Sequence, residues 1–173
     1  MTLNWIGTER LAIGRLPTVE SLGLLSAEGV SHIVNCRATA QTWLSRDLAK
    51  ERALFGRARV AHAPMWDFGQ SQHPRRWSAA VHFAVRALDA DAGARVLVHC
   101  QKGRRRSVLV AYAVLRLRGY PARKASELIV GHRLEAVLVP VYLSDVERWL
   151  DDGAPTVRRP RMSGSGRWPR RLR

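Results

Sequence analysis

Residues 95–107 read RVLVHCQKGRRRS, and this stretch decides the fold. Arg95 to His99 is a β-branched apolar run, short enough for a buried central strand, entered by a turn at Asp91 and Gly93. From Ser107 to Arg118 the chain is mostly apolar at helical length and stops at Gly119. Between strand and helix lies His99-Cys100-Gln101-Lys102-Gly103-Arg104-Arg105-Arg106-Ser107, of the form H-C-x-x-G-x-x-R-S. A loop closing from a strand end onto a helix start turns successive backbone N–H groups inward. The helix N-terminus adds its partial positive charge, and the result is a cradle for a phosphate.

Each residue type in that loop has a physical task. A thiol of ordinary pKa is mostly protonated at neutral pH, but a helix N-terminus and converging donors stabilise the thiolate. Cys100 is therefore the candidate nucleophile. Arg106, six residues on, comes back around the loop with a planar fork that binds two phosphoryl oxygens at once. Gly103 gives the apex freedom to close. Gln101, Lys102, Arg104 and Arg105 complete the phosphate-binding segment, His99 is expected to bond loop backbone, and the Ser107 hydroxyl can donate to the Cys100 sulfur.

Working outward, strands and helices alternate without internal repeats. Strands are expected at Leu11–Gly14, Ser31–Cys36 and Arg59–Met65. Helices are expected at Thr18–Glu28, with Val19, Leu22 and Leu25 on one side; at Thr42–Phe55, with Trp43, Leu44, Leu48 and Leu54 inward and the charges from Arg46 to Glu51 wet; and at Pro74–Ala90, Ala122–His132 and Val141–Leu150. This alternation predicts an α/β fold, a central and mostly parallel sheet with helices on both faces.

The whole chain of 173 residues suits one domain, and at 46% hydrophobic it can bury a core. Two cysteines, Cys36 and Cys100, exclude a disulfide framework and point to a reducing, cytoplasmic setting. The longest apolar run, Val108–Leu115, is far too short to span a membrane, and the N-terminus lacks a secretory pattern. Twenty-nine basic residues against fourteen acidic give a net charge of +15. Residues 158–173 hold seven arginines and no acid, with Pro, Gly and Ser and no apolar periodicity, so they read as a disordered tail that could contact polyanions or anionic lipid. The catalytic domain is then residues 1–157. The six histidines show no metal-ligand spacing.

The loop resembles the signature of the cysteine-dependent protein phosphatases, and the surrounding spacing, from LAIGRLP through GVSHIVNC and RVLVHC to the last helix, resembles their small, atypical dual-specificity branch. That resemblance implies a metal-independent, cofactor-free phosphatase working through a phosphocysteine. Its general acid would be an aspartate about thirty residues before the cysteine, a position held by Asp67 in PMWDF, 33 residues before Cys100. Low-molecular-weight phosphatases carry the same loop near the N-terminus with the acid after it, the reverse of the order here. Two departures from the family are visible: Lys102 replaces a common small residue, and Val141 follows Pro140 where Pro-Asn is common. Phosphotyrosine, phosphoserine or phosphothreonine proteins are the implied substrates. A polyanion (a phosphoinositide or an RNA 5′-triphosphate) and a non-catalytic phosphate- or nucleic-acid-binding module are the alternatives.

Overall fold

The computed structural model describes residues 3–155. Five strands, β1 (Leu3–Trp5), β2 (Leu11–Arg15), β3 (His32–Asn35), β4 (Val60–His62) and β5 (Val96–Cys100), form one sheet in the order β1-β2-β5-β3-β4. All neighbours run parallel except β1, which pairs antiparallel with β2. The central strand is thus Val96–Cys100, one residue on from the expected Arg95–His99, and it is buried at every position.

Side-chain alternation along the strands assigns the two faces. Leu11, Ile13, Val34, Val96 and Val98 point to one side and pack with α4 (Ser78–Ala90), α5 (Arg106–Leu117), α6 (Ala122–His132) and α7 (Pro140–Asp151). Ala12, Ile33 and Leu97 point to the other, where α1 (Val19–Leu24) and its following turn supply Leu22 and Leu25, and α3 (Asp47–Phe55) supplies Leu48 and Phe55. From Val108 to Leu115 every residue of α5 is buried. A helix apolar on all sides belongs in the interior, and α5 sits there because α4, α6 and α7 surround it.

Three expectations need correction. First, β1 was not anticipated, since three residues carry too little periodicity to read. Second, Val19 is 70% exposed, because Thr18 caps α1 and turns its first residue outward. Third, the single helix expected over Thr42–Phe55 is two, α2 (Thr39–Ser45) and α3, broken at Arg46 in a left-handed conformation with φ of 54°. The face that turns inward is also not the apolar one. Trp43, Leu44 and Leu54 stand exposed, while Asp47 and Glu51 are buried. The cause lies in the sheet: Asn35 and His99 project from β3 and β5 on the side facing α3 and need polar partners. Satisfying them outweighs burial of an apolar stripe. Pro74–Arg76 forms a short 3-10 turn ahead of α4. No helix among the described residues is long and apolar enough to cross a membrane. The tail expected at 158–173, and the boundary at 157, lie outside the described residues.

Candidate active site

Cys100 closes β5 and Arg106 opens α5, so the H-C-x-x-G-x-x-R-S segment is the connection between the central strand and the interior helix. Cys100 is 1% exposed. Its sulfur accepts a hydrogen bond from the Gly103 N–H at 3.2 Å and lies 3.4 Å from the Ser107 hydroxyl oxygen. Burial pushes the thiol pKa up. The Ser107 hydroxyl and N–H, the Arg106 charge and the Arg104 N–H outweigh that and hold it below its ordinary value.

Two outside contacts shape the loop. Gly103 has φ of +65°, and a Cβ there would stand 2.3 Å from the Gly14 carbonyl oxygen, so only glycine allows the loop to sit on β2. Arg133, at the end of α6, is 3% exposed and donates to the carbonyls of Gly103 and, at 3.1 Å, Lys102, while its other amino group reaches Asn4 Oδ1 at 2.6 Å. With these carbonyls tied outward, the N–H groups of the same peptides are left to face the sulfur. Nothing in the residue pattern singles out Arg133, since it is one arginine among 26 and follows a helix beyond α5.

The guanidinium of Arg106 is buried and divided in function. Its Nη1 donates to the Met65 carbonyl at 3.0 Å and to Gln41 Oε1 at 2.9 Å, which fixes the plane of the group. Among the described residues Nε has no partner, and Nη2 has only the Asp67 carboxylate at 3.6 Å. One edge of the fork is thereby held and the other is open for two anionic oxygens. Gln41, on α2, is a second residue that sequence reasoning missed.

Asp67 lies in the loop between β4 and α4, with Arg106 at 3.6 Å and Arg105 at 3.9 Å. That loop is pinned farther along. Buried Asp145 of α7 accepts from the Ser71 hydroxyl at 2.7 Å and the Gln72 N–H at 2.6 Å. Trp66 and Phe68 stack on each other on either side of Asp67. Gln41 and Asp67 on one side and Gln101, Lys102, Arg104, Arg105 and Arg106 on the other enclose an open cavity of about 390 Å³. Of the expected site residues, Asp67, Gln101, Lys102, Arg104, Arg105 and Arg106 line this cavity, while Cys100, Gly103 and Ser107 are buried in the loop itself.

His99 departs from expectation. It does not bond loop backbone: its Nε2 stands 2.8 Å from Glu51 Oε1, both side chains fully buried. Strand alternation explains this, because Val98 and Cys100 face α5 and His99 must then face α3. Burial pushes the imidazole pKa down, but the Glu51 charge overrides it and holds the pKa above the ordinary value. Asn35 donates to Glu51 and Asp47, and Arg37 pairs with Asp47 at 2.8 Å, so a buried polar network surrounds His99 on the α3 side of the sheet.

No protein-family model matches the chain, and no curated protein sequence matches it. Solved structures do. The phosphatase domain of Yvh1 from Chaetomium thermophilum aligns over 91% of this chain and 100% of its own, with a TM-score of 0.67 at 23% identity. Kinase associated phosphatase, in a form with its catalytic-site cysteine replaced by serine, aligns over 91% and 98% with a TM-score of 0.72 at 16% identity. PTPMT1 in complex with PI(5)P aligns over 82% and 90% with a TM-score of 0.64 at 19% identity. The fold is that of the dual-specificity and tyrosine-type protein phosphatases.

Proposed function

We propose that the protein is a metal-independent phosphomonoesterase that works through a phosphocysteine at Cys100. One observation carries this: an acidified thiol sits on the floor of a cradle of N–H groups, with the open edge of Arg106 above it and Asp67 across the cavity.

The substrate phosphoryl group binds with two oxygens on Nε and Nη2 of Arg106 and the third on loop N–H groups. The Cys100 thiolate attacks phosphorus, the bond from phosphorus to the ester oxygen breaks, and the leaving oxygen takes the proton of the Asp67 carboxyl. Water then attacks the phosphocysteine and gives a proton to the Asp67 carboxylate. The sulfur leaves as the thiolate that Ser107 and Gly103 stabilise, and inorganic phosphate departs. Arg106 holds charge as it spreads over the equatorial oxygens in both steps. Ser107, Gln41 and Arg133 act by positioning.

Turnover of an aryl phosphate in EDTA, wild type beside Cys100→Ser, tests the reading. Activity that persists in EDTA and disappears with Cys100→Ser is expected. Equal activity in the two proteins would remove Cys100 as nucleophile. On substrate, phosphoproteins stand first from the family resemblance and polyanions second, and the composition of the cavity favours reversing that order. All seven described side chains that line it are polar or charged, which suits an anionic or hydroxyl-rich substrate better than a phosphotyrosine ring.

A further inference from the structure

Beside the phosphate cradle, on the β2 side of the loop, lies a second cavity of about 200 Å³ lined by Arg15, Lys102, Arg104 and Glu135. It shares Lys102 and Arg104 with the first, so the two adjoin at the loop rim. Arg15 is exposed at the end of β2, two residues before Pro17, and neither it nor Lys102 has a hydrogen-bond or ion-pair partner among the described residues. Arg37, Arg116, Arg118, Arg123 and Arg148, by contrast, each hold a carboxylate. The one carboxylate of this cavity, Glu135, is turned to Arg133 at 3.3 Å. Arg104 is held over the cavity by a bond from Nε to the Glu135 carbonyl at 3.2 Å, which leaves both of its amino groups free. Three cations thus converge on a concave space whose single lining carboxylate, Glu135, is already paired with Arg133, next to the loop that cradles the phosphoryl group.

We infer that this cavity is a second anion subsite, and that the substrate is a polyol carrying at least two phosphates, one cleaved at Cys100 and the other seated on Arg15, Lys102 and Arg104. The inference rests on the phosphatase reading for the cleaved phosphate, and on the cavities alone for the second. The polar lining of the main cavity suits hydroxyls between the two phosphates, whereas an aromatic phosphate ester would leave Gln41, Gln101 and the cations facing a ring. A short polyol skeleton also spans two sites that share side chains. Because the subsite is open to solvent, its worth falls with salt.

The test compares kcat/KM for soluble inositol bisphosphates and inositol monophosphates, in wild type and Arg15→Ala, at low and physiological salt. A preference for bisphosphates of about tenfold at low salt is expected from two or three exposed ion pairs. Arg15→Ala should cut that ratio several-fold and Arg15→Glu should abolish it. Calorimetric binding of the same inositol phosphates to Cys100→Ser reads the subsite without turnover. Selective binding there with an inactive wild type would overturn the phosphatase reading and keep the subsite. Turnover with no preference for bisphosphates, or a preference untouched by Arg15→Glu, would overturn the subsite and keep the phosphatase. A parallel arm uses phosphatidylcholine vesicles carrying phosphatidylinositol monophosphate or bisphosphate: preference on vesicles as well as in solution assigns the headgroup of a lipid, and preference in solution alone assigns a free polyol phosphate. A doubly phosphorylated peptide preferred over every inositol phosphate would overturn the polyol assignment.

Discussion

At Cys100 two opposed effects meet. Desolvation favours the thiol, donors favour the thiolate, and the donors win. Ser107 heads those donors, so Ser107→Ala should raise the Cys100 pKa. The acidic limb of the pH dependence of alkylation by iodoacetamide would then move to higher pH, and an unmoved limb would assign the acidity to the backbone. At Arg106 geometry outranks charge, because only a planar fork can be held at Nη1 while presenting Nε and Nη2. Arg106→Lys should lower kcat/KM by about a hundredfold or more, measured on an aryl phosphate; a loss of tenfold or less would make the arginine structural. Asp67→Asn should cost roughly a hundredfold to ten-thousandfold on alkyl phosphates and less on activated aryl phosphates, whose leaving groups need no proton. Equal losses on both would send the search for the acid elsewhere in residues 66–73. These side chains were legible in the sequence because they sit in, or at a familiar distance from, one contiguous motif. Gln41 and Arg133 were not, because they reach the loop only through the third dimension.

At the scale of elements, the segment from α2 to α3 shows where periodicity misleads. Its apolar residues Trp43, Leu44 and Leu54 gave the stronger pattern, yet the buried set is Thr42, Asp47 and Glu51. Nothing local in residues 39–55 announces this, since the demand comes from Asn35 and His99 on strands brought alongside by folding. By contrast, α5 and β5 were read nearly to the residue, because a buried strand and an interior helix are apolar throughout and need no partner to be recognised. The His99–Glu51 pair has a measurable signature. With a folded pKa above its ordinary 6.5, His99 contributes stability that is fully present below pH 6.5 and is lost as the pH rises through the folded value. Glu51→Gln should lower stability at pH 6 by about 3 kcal/mol, the usual cost of stranding a buried charge. It should also flatten the decline toward alkaline pH, as read from urea midpoints across the pH series. Parallel pH curves for the two proteins would show that His99 is neutral in the fold.

At the scale of the molecule, the parallel order of β2, β5, β3 and β4 places the C-terminal ends of four strands on one edge, and the loop, α2, the Asp67 loop and Arg15 all gather there. Alternation of strands and helices was enough to predict that sheet. The strand order was not legible, because register depends on contacts between distant segments. Residues 158–173 carry seven arginines, no acid and no apolar periodicity, so their deletion should leave the aryl phosphatase rate unchanged while salt-sensitive binding to polyanions falls. A fall in the rate itself would place the arginine-rich segment in the site. The covalent step is read most directly from intact mass after a rapid acid quench of wild type turning over an aryl phosphate in EDTA. A species heavier by one phosphoryl group, mapped to Cys100 and lost in Cys100→Ser, is expected. Turnover with no phosphorylated protein at any quench time, or the phosphoryl group mapped to another residue, would contradict it.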